Sequence, residues 1–305
     1  MSNIEKVLVL GASGDQGIPL VSALLDAGAE VSAGARRLDA MQATPYPDLP
    51  IVLADINDAA TLEAAFAQVD AVAMHLPFEH NVEIAASYGR NIATAAKATG
   101  LKKIVFNTSC YVADQDLGLG GHDGRRRIEQ ELINSGVDYV ILRPVVFMDN
   151  AIRVWLKPGI VNNDTFVYPA GEKLKVSWIC LDDVGKLMAA ATLTSNVSRE
   201  IITVGGPEAL TGFEVAERIS TAAGRTVTFN SIPPQEFAEN MSELVTGSRV
   251  VEPGSVYSGM GRFYQWYNDQ PVSPLDIDPA SFYDKLPVTL TPYADWAKQH
   301  DWSKV

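Results

Sequence analysis

Three glycines spaced three apart stand in the segment Gly11-Ala12-Ser13-Gly14-Asp15-Gln16-Gly17, between an apolar run, Lys6–Leu10, and an amphipathic stretch. Strand, glycine-spaced turn and helix in that order suit a dinucleotide pyrophosphate. Gly11 turns the chain off the strand, Gly14 lets backbone approach the phosphates, and Gly17 lets the helix pack closely on the sheet. Ser13, Asp15 and Gln16 bring backbone N–H groups to the helix N-terminus, which favours an anion. The Gly-x-x-Gly-x-x-Gly spacing is one step from the usual Gly-x-Gly-x-x-Gly, so the flanking elements carry the reading.

The next strand, Glu30–Ala35, ends in Arg36-Arg37. An acidic residue at that place accepts from a free ribose 2′-hydroxyl, whereas an arginine pairs with a 2′-phosphate. Two guanidiniums and no carboxylate favour NADP(H) over NAD(H); the plainer alternative is a solvated basic turn. A third strand, Ile51–Ile56, puts Asp55 and Ile56 where adenine would lie. Asp55 can accept from the adenine amino group or cap the helix that begins near Asp58.

These residues need a sheet to hold them. Strand-like runs recur at Ala71–Leu76, Lys103–Ser109 and Tyr139–Arg143, with helical stretches at Asp58–Phe66, Val82–Thr99 and Arg126–Asn134. Short apolar strands separated by helices predict an α/β fold, a doubly wound parallel sheet of the Rossmann type. Ligands bind such sheets beyond the carboxyl ends of the strands, which here carry Gly11, Arg36, Asp55, Leu76-Pro77, Thr108-Ser109 and Pro144. Residues 1–150 are read as the NAD(P)-binding domain, with the sheet re-entered at about 176–205. Residues 151–305 are read as a smaller substrate lobe, richer in proline and aromatic residues.

A chain of 305 residues can bury a sizeable core. A net charge of −13 argues against nucleic acid and against an anionic membrane surface. Met1-Ser2-Asn3 runs almost directly into the first strand, leaving no space for a signal peptide, and no apolar run is long enough to span a membrane. Two cysteines, Cys110 and Cys180, make no disulfide framework and fit a reducing cytoplasm. His75 and His80 match no metal spacing, so no metal is expected.

The glycine turn, the arginine pair, Asp55, and Ser135–Pro144 continuing through Phe147-Met148-Asp149-Asn150 resemble the NmrA-like atypical short-chain dehydrogenase/reductases. The resemblance runs along nearly the whole chain and is strongest over residues 6–150. It implies a Rossmann fold and NADP(H), and it says little about substrate. Relatives reduce phenylpropanoids, quinones and dyes, and some are catalytically silent sensors. It also implies a place for the superfamily's Tyr-x-x-x-Lys pair. Taking Glu129 as the glutamate four residues after the family lysine, that lysine position holds Arg125 and the tyrosine position holds Gly121. Arginine can hold a ribose but does not give up a proton readily, so the usual relay is missing.

Other groups stand near the gap. His122 can titrate near neutrality or be a solvated loop residue. Ser109 can orient a carbonyl or cap a turn, and Tyr111 can donate or merely pack. Cys110 reads as a buried, inert thiol. Phe147, Trp155 and Trp178 are candidates for an apolar pocket that takes a flat substrate. The expectation is an NADPH-dependent reductase of a small apolar or aromatic electrophile. Its rival is a non-catalytic NADP(H) sensor, and isomerase or lyase chemistry is a third reading. Whether the chain is a homodimer is left open.

Overall fold

The computed structural model describes residues 4–305. Met1, Ser2 and Asn3, and with them the reading of a leaderless start, lie outside the described residues. In chain order the elements are β1 (Lys6–Leu10), α1 (Gly17–Asp26), β2 (Glu30–Ala35), β3 (Ile51–Leu53), α2 (Ala59–Phe66), β4 (Ala71–His75), α3 (Val82–Thr99), β5 (Lys103–Asn107) and α4 (Gly120–Asn134). There follow β6 (Tyr139–Pro144), α5 (Lys157–Asn163), β7 (Thr165–Tyr168), α6 (Leu181–Leu193), β8 (Glu200–Val204), α7 (Gly212–Ala223) and β9 (Thr228–Ser231). The last helices are α8 (Pro234–Thr246), α9 (Val256–Asn268), α10 (Ala280–Tyr283) and α11 (Tyr293–Ala297).

Seven strands form a parallel sheet in the order β3-β2-β1-β4-β5-β6-β8. The order reverses beside β1, so its carboxyl end and that of β4 border a crevice. Alternation along the strands divides the core. Leu8 and Leu10 join Val72, Met74, Ile104 and Phe106 beneath Leu62 and Phe66 of α2, Ile92 of α3 and Ile128 and Leu132 of α4. On α1, Leu20, Val21 and Leu24 are buried, and this helix packs against α6. Contact there is close, because a Cβ at Gly185 would stand 2.6 Å from the Pro19 carbonyl carbon. The fold is thus the Rossmann-type α/β fold that the strand–helix alternation predicts.

Two units divide the chain. The first runs through Pro144 and takes in Leu181–Val204 and Ala280–Thr289; the second comprises Val145–Cys180, Gly205–Pro279 and Leu290–Val305. The first therefore ends at 144 rather than 150, where Pro144 of β6 pairs with Val204 of β8. It also recovers Ala280–Thr289, which the sequence reading assigns to the lobe, and Lys285 there is ion-paired with Glu200. Within this unit the Lys103 ammonium is buried and donates to the carbonyls of Ala191, Thr194 and Val197, closing the C-terminal end of α6.

The second unit holds a two-stranded parallel pair, β7 and β9, and an aromatic core. Trp178 is its centre, edge-on to Tyr168 at 5.1 Å and to Tyr293 at 6.2 Å. Among the described residues no helix is long and apolar enough to cross a membrane.

Candidate functional site

A cavity of 520 Å3 opens over the glycine turn within the first unit. Gly11, Ser13, Gly14 and Gln16 form one wall, and His75, Leu76, Pro77 and Phe78 form the opposite one, with Ser109 and Arg125 completing it. Gly11 has φ +83, and a Cβ there would stand 2.6 Å from the His75 ring. Gly17 seats α1 against the turn, since a Cβ would come within 2.1 Å of the Gly11 carbonyl oxygen. Gln16, the N-cap residue of α1, makes no side-chain cap, and the helix has no acidic residue in its first turn. That end is open to an anion.

Polar atoms without partners gather on this wall. Ser109 Oγ, His75 Nδ1 and two nitrogens of Arg125, Nε and Nη1, are buried and make no hydrogen bond among the described residues. Buried polar groups are ordinarily satisfied, and an unpaired one costs about 1–3 kcal/mol. A ligand that brings acceptors and a donor here would recover that cost. Ser109 is also held in the left-handed region at φ +64, with its N–H donating to Asn107 Oδ1 at 2.7 Å.

Arg125 is 2 % exposed. Its Nη2 donates to the Leu76 carbonyl at 2.7 Å and its guanidinium lies 4.9 Å from the centre of the Phe78 ring. Burial lowers its pKa to about 10, which still leaves it charged near neutrality. The space left by the missing tyrosine is filled. A Cβ at Gly121 would meet the Phe78 ring at 2.2 Å, and at Gly120 it would meet the His80 carbonyl oxygen at 2.1 Å. The segment after β4 folds onto the start of α4, and glycines at 120 and 121 permit that approach.

Helix α4 begins six residues before the predicted Arg126, so His122 and Arg125 stand on a helix and not in a loop. His122 is 8 % exposed, and burial, followed by the charge of Arg125, holds its pKa well below the ordinary value. The expectations of a solvated loop histidine and of one titrating near neutrality are both corrected: the imidazole is buried and neutral. His75, not singled out as a site residue in the sequence, has its pKa lowered to about 4 by burial and then by Arg125. Burial pushes the Cys110 thiol up to about 12 and raises that of Tyr111.

The remaining expected residues lie elsewhere. The Thr108 hydroxyl donates to the carbonyls of Cys110 and Leu142, which commits it to the backbone. Asp55 Oδ1 accepts from the backbone and side chain of Asn57, while Asp58 is the cap of α2. The Ile56 carbonyl accepts from Asn91. Arg36 and Arg37 are both exposed; Arg37 pairs with Asp39 at 3.2 Å, and Asp15 is exposed on the turn. In the second unit, Trp178 is 2 % exposed and its indole N–H donates to the Leu210 carbonyl, so it is a core ring rather than a pocket wall. Enclosing so large a ring with its N–H satisfied is what burial rewards. Trp155 lines a separate apolar cavity with Leu156, Phe237 and Met241, and Phe147 forms a backbone bridge to Ile179.

The sheet order and the glycine-turn cavity define a Rossmann-type α/β protein. The chain belongs to the NmrA-like family, whose model matches residues 3–296. It is 29% identical to NAD(P)H azoreductase of Xenophilus azovorans over 300 residues, covering 96% of this chain and 97% of the relative. Quinone oxidoreductase 2 of Escherichia coli is 25% identical over 242 residues, 78% of this chain and 82% of the relative. The structure of an NADPH-dependent quinone oxidoreductase from Escherichia coli complexed with NADPH superposes with TM-score 0.78 at 20% identity, covering 96% of this chain and 99% of that one. Triphenylmethane reductase of Citrobacter sp. complexed with NADP(H) gives 0.78 at 17%, over 96% and 99%. At these identities the two structures speak for the fold alone.

Proposed function

We propose that this protein is an NADPH-dependent reductase that delivers hydride to a small apolar or aromatic electrophile. The observation that carries the reading is the cavity over the glycine turn, with Ser109 Oγ, His75 Nδ1 and two Arg125 nitrogens buried and unpartnered along it. The relatives named as NAD(P)H azoreductase and quinone oxidoreductase support the same chemistry.

Gly11, Ser13, Gly14, Asp15, Gln16 and Gly17 would hold the pyrophosphate, with Arg36 and Arg37 at a 2′-phosphate and Asp55 and Ile56 beside adenine. Leu76, Pro77, Thr108 and Pro144 would border the other half, where Arg125 donates to ribose hydroxyls. When bound, the nicotinamide supplies hydride. Ser109 Oγ, buried and without a partner among the described residues, would donate to an acceptor oxygen of the substrate. His122 and His75 are neutral near pH 7 and poor acids, which leaves Tyr111, Ser109 or water to deliver the proton. Two cysteines, too few for a disulfide framework, suit a reducing cytoplasm. Light scattering on the purified protein decides between a monomer and a homodimer.

A second reading, an NADP(H)-binding sensor without turnover, is favoured by one observation: Phe78 fills the space of the missing tyrosine. NADPH absorbance followed with an azo dye, a quinone and a triphenylmethane dye separates the two, beside calorimetric titration of wild type and Gly14→Val. Turnover selects the reductase. Binding without turnover selects the sensor, and equal binding by Gly14→Val would refute the phosphate site.

A further inference from the structure

Among the described residues, the Arg125 guanidinium is a buried cation with no carboxylate against it. Its one hydrogen bond among them is to a neutral carbonyl, that of Leu76, and its neighbours across the cavity wall are a phenyl ring and the neutral His75 imidazole. Buried charges are ordinarily paired, because an isolated one loses its hydration without recompense. The contrast with Arg143 is direct: that guanidinium, on β6, is bonded to both Glu129 and Asp114. The charge at 125 is therefore left unneutralised by the protein at one end of the cavity.

Topology says which end. The crevice lies where strand order reverses at β1, with β2 and β3 on one side and β4, β5 and β6 on the other. The arginine pair after β2 marks the adenosine side. Arg125 reaches the Leu76 carbonyl just beyond β4 and lines the cavity with Ser109 just beyond β5, on the opposite side. A dinucleotide laid across the glycine turn thus directs its nicotinamide half toward Arg125. That half carries a positive charge when oxidised and none when reduced.

We propose that the unneutralised charge of Arg125 makes this site discriminate between the two oxidation states of the dinucleotide, holding NADPH more tightly than NADP+. The inference rests on the NADP(H) reading above. A hydrogen bond from Arg125 to the ribose would serve both forms alike, so the ratio of their affinities isolates the charge from the anchor. Two like charges at the separations found inside one site, screened as proteins screen them, change that ratio on the order of tenfold. Linkage makes the same tenfold ratio a rise of about 30 mV in the potential of the bound couple. The selectivity costs some hydride-donor strength, and in return it loads the hydride-carrying form and favours release of the spent one.

The test is calorimetric titration of the wild type, Arg125→Gln and Arg125→Lys with NADPH, with NADP+, and with adenosine 2′,5′-bisphosphate, which has no nicotinamide. The wild type is expected to favour NADPH about tenfold, Arg125→Gln to bring the ratio toward one, and Arg125→Lys to keep most of it. The bisphosphate should bind all three variants alike, which also reports that the variants are folded. Equal wild-type affinities for NADPH and NADP+ overturn the proposal, as does a ratio unchanged in Arg125→Gln. Should Arg125→Gln not fold, loss of the ratio in the charge-retaining Arg125→Lys overturns it instead. Failure of the wild type to bind any of the three ligands refutes the NADP(H) reading itself, a distinct result.

Discussion

The Asn107 side chain donates to Gln16 Oε1 at 2.9 Å, joining the end of β5 to the residue that opens α1. The same side chain accepts from the Ser109 N–H, so one fully buried amide fixes both the glycine turn and the left-handed Ser109. Asn107→Ala removes both restraints. Dinucleotide affinity is expected to fall about five- to tenfold, the equivalent of about 1–1.5 kcal/mol for one hydrogen bond. Fluorescence titration reads it, and wild-type affinity in the variant would mean that the link does not organise the site.

Arg36 and Arg37 are adjacent but not equivalent. Arg37 is drawn to Asp39, and among the described residues Arg36 has no ion-pair partner. If the pair reads a 2′-phosphate, Arg36 is the one ready to do so. Arg36→Ala is expected to reduce the preference for NADPH over NADH by about tenfold or more, at about 1.5–3 kcal/mol for a charged hydrogen bond. Arg37→Ala should cost less. Competition binding with the two reduced dinucleotides measures both, and a larger loss at Arg37 would reverse the assignment.

Turnover should be nearly independent of pH across neutrality. His75 lies at about 4, His122 well below its ordinary value, Arg125 at about 10 and Cys110 at about 12. His75, Arg125 and Cys110 keep their charge state across neutrality and His122 is neutral there, so kcat with a quinone acceptor is expected to stay flat. His122→Gln should lower kcat by less than about tenfold, unlike loss of a true acid, which typically costs a hundredfold or more. A bell centred near pH 7 that disappears in His122→Gln would restore the histidine as proton donor.

The buried ion pair beneath the site makes a prediction about stability. Arg143 forks onto Glu129 at 2.8 and 2.7 Å and reaches Asp114 with its third nitrogen. Burial works against the Arg143 charge, yet the two carboxylates outweigh it and raise its pKa; burial lifts the Glu129 carboxyl in spite of Arg143. Glu129→Ala leaves a buried guanidinium with half its partners, and urea denaturation should show a loss of about 3–5 kcal/mol. Replacing both residues by methionine should cost less than Glu129→Ala alone.

The sheet was legible because its strands are short apolar runs with helix-period segments between them, as at Ala71–His75 and Val82–Thr99, where capping by Asn81 and Gly100 marks both helix ends. The glycine turn was legible for the same reason, spacing within one local unit. The facing wall was not. His75, Phe78 and Asn107 act through contacts with residues 64, 43 and 91 positions away, Gly11, Gly121 and Gln16. No local pattern reports those. The paired glycines at 120 and 121 are the one available signal, since they mark a close backbone approach, but the sequence reading takes Gly121 only as the vacancy of a tyrosine and makes nothing of Gly120. The aromatic residues misled in the other direction: Trp178 carries the same composition signal whether it lines a pocket or, as here, fills a core.

His75 makes acid a specific threat to the folded state. Its imidazole is held neutral, with burial as the main cause, the Arg125 charge adding to it and the Asp15 carboxylate opposing it, so its pKa is lowered to about 4. In the unfolded chain the same group takes up a proton near its ordinary value of about 6.5. The unfolded state therefore binds more protons between those two values, and stability must fall as pH drops through that window. Well above pH 6.5 the histidine contributes no pH dependence, and at pH 4.5 the accumulated loss is about 2.5 kcal/mol. His122, lowered for the same cause, acts in the same direction. Urea denaturation of the wild type and His75→Asn at pH 7.5 and 4.5 measures it as the difference between the two proteins. The variant should lose about 2.5 kcal/mol less than the wild type on acidification. Parallel losses in both would show that the His75 ring is already accessible to protons in the folded protein, and that the glycine turn does not seal it.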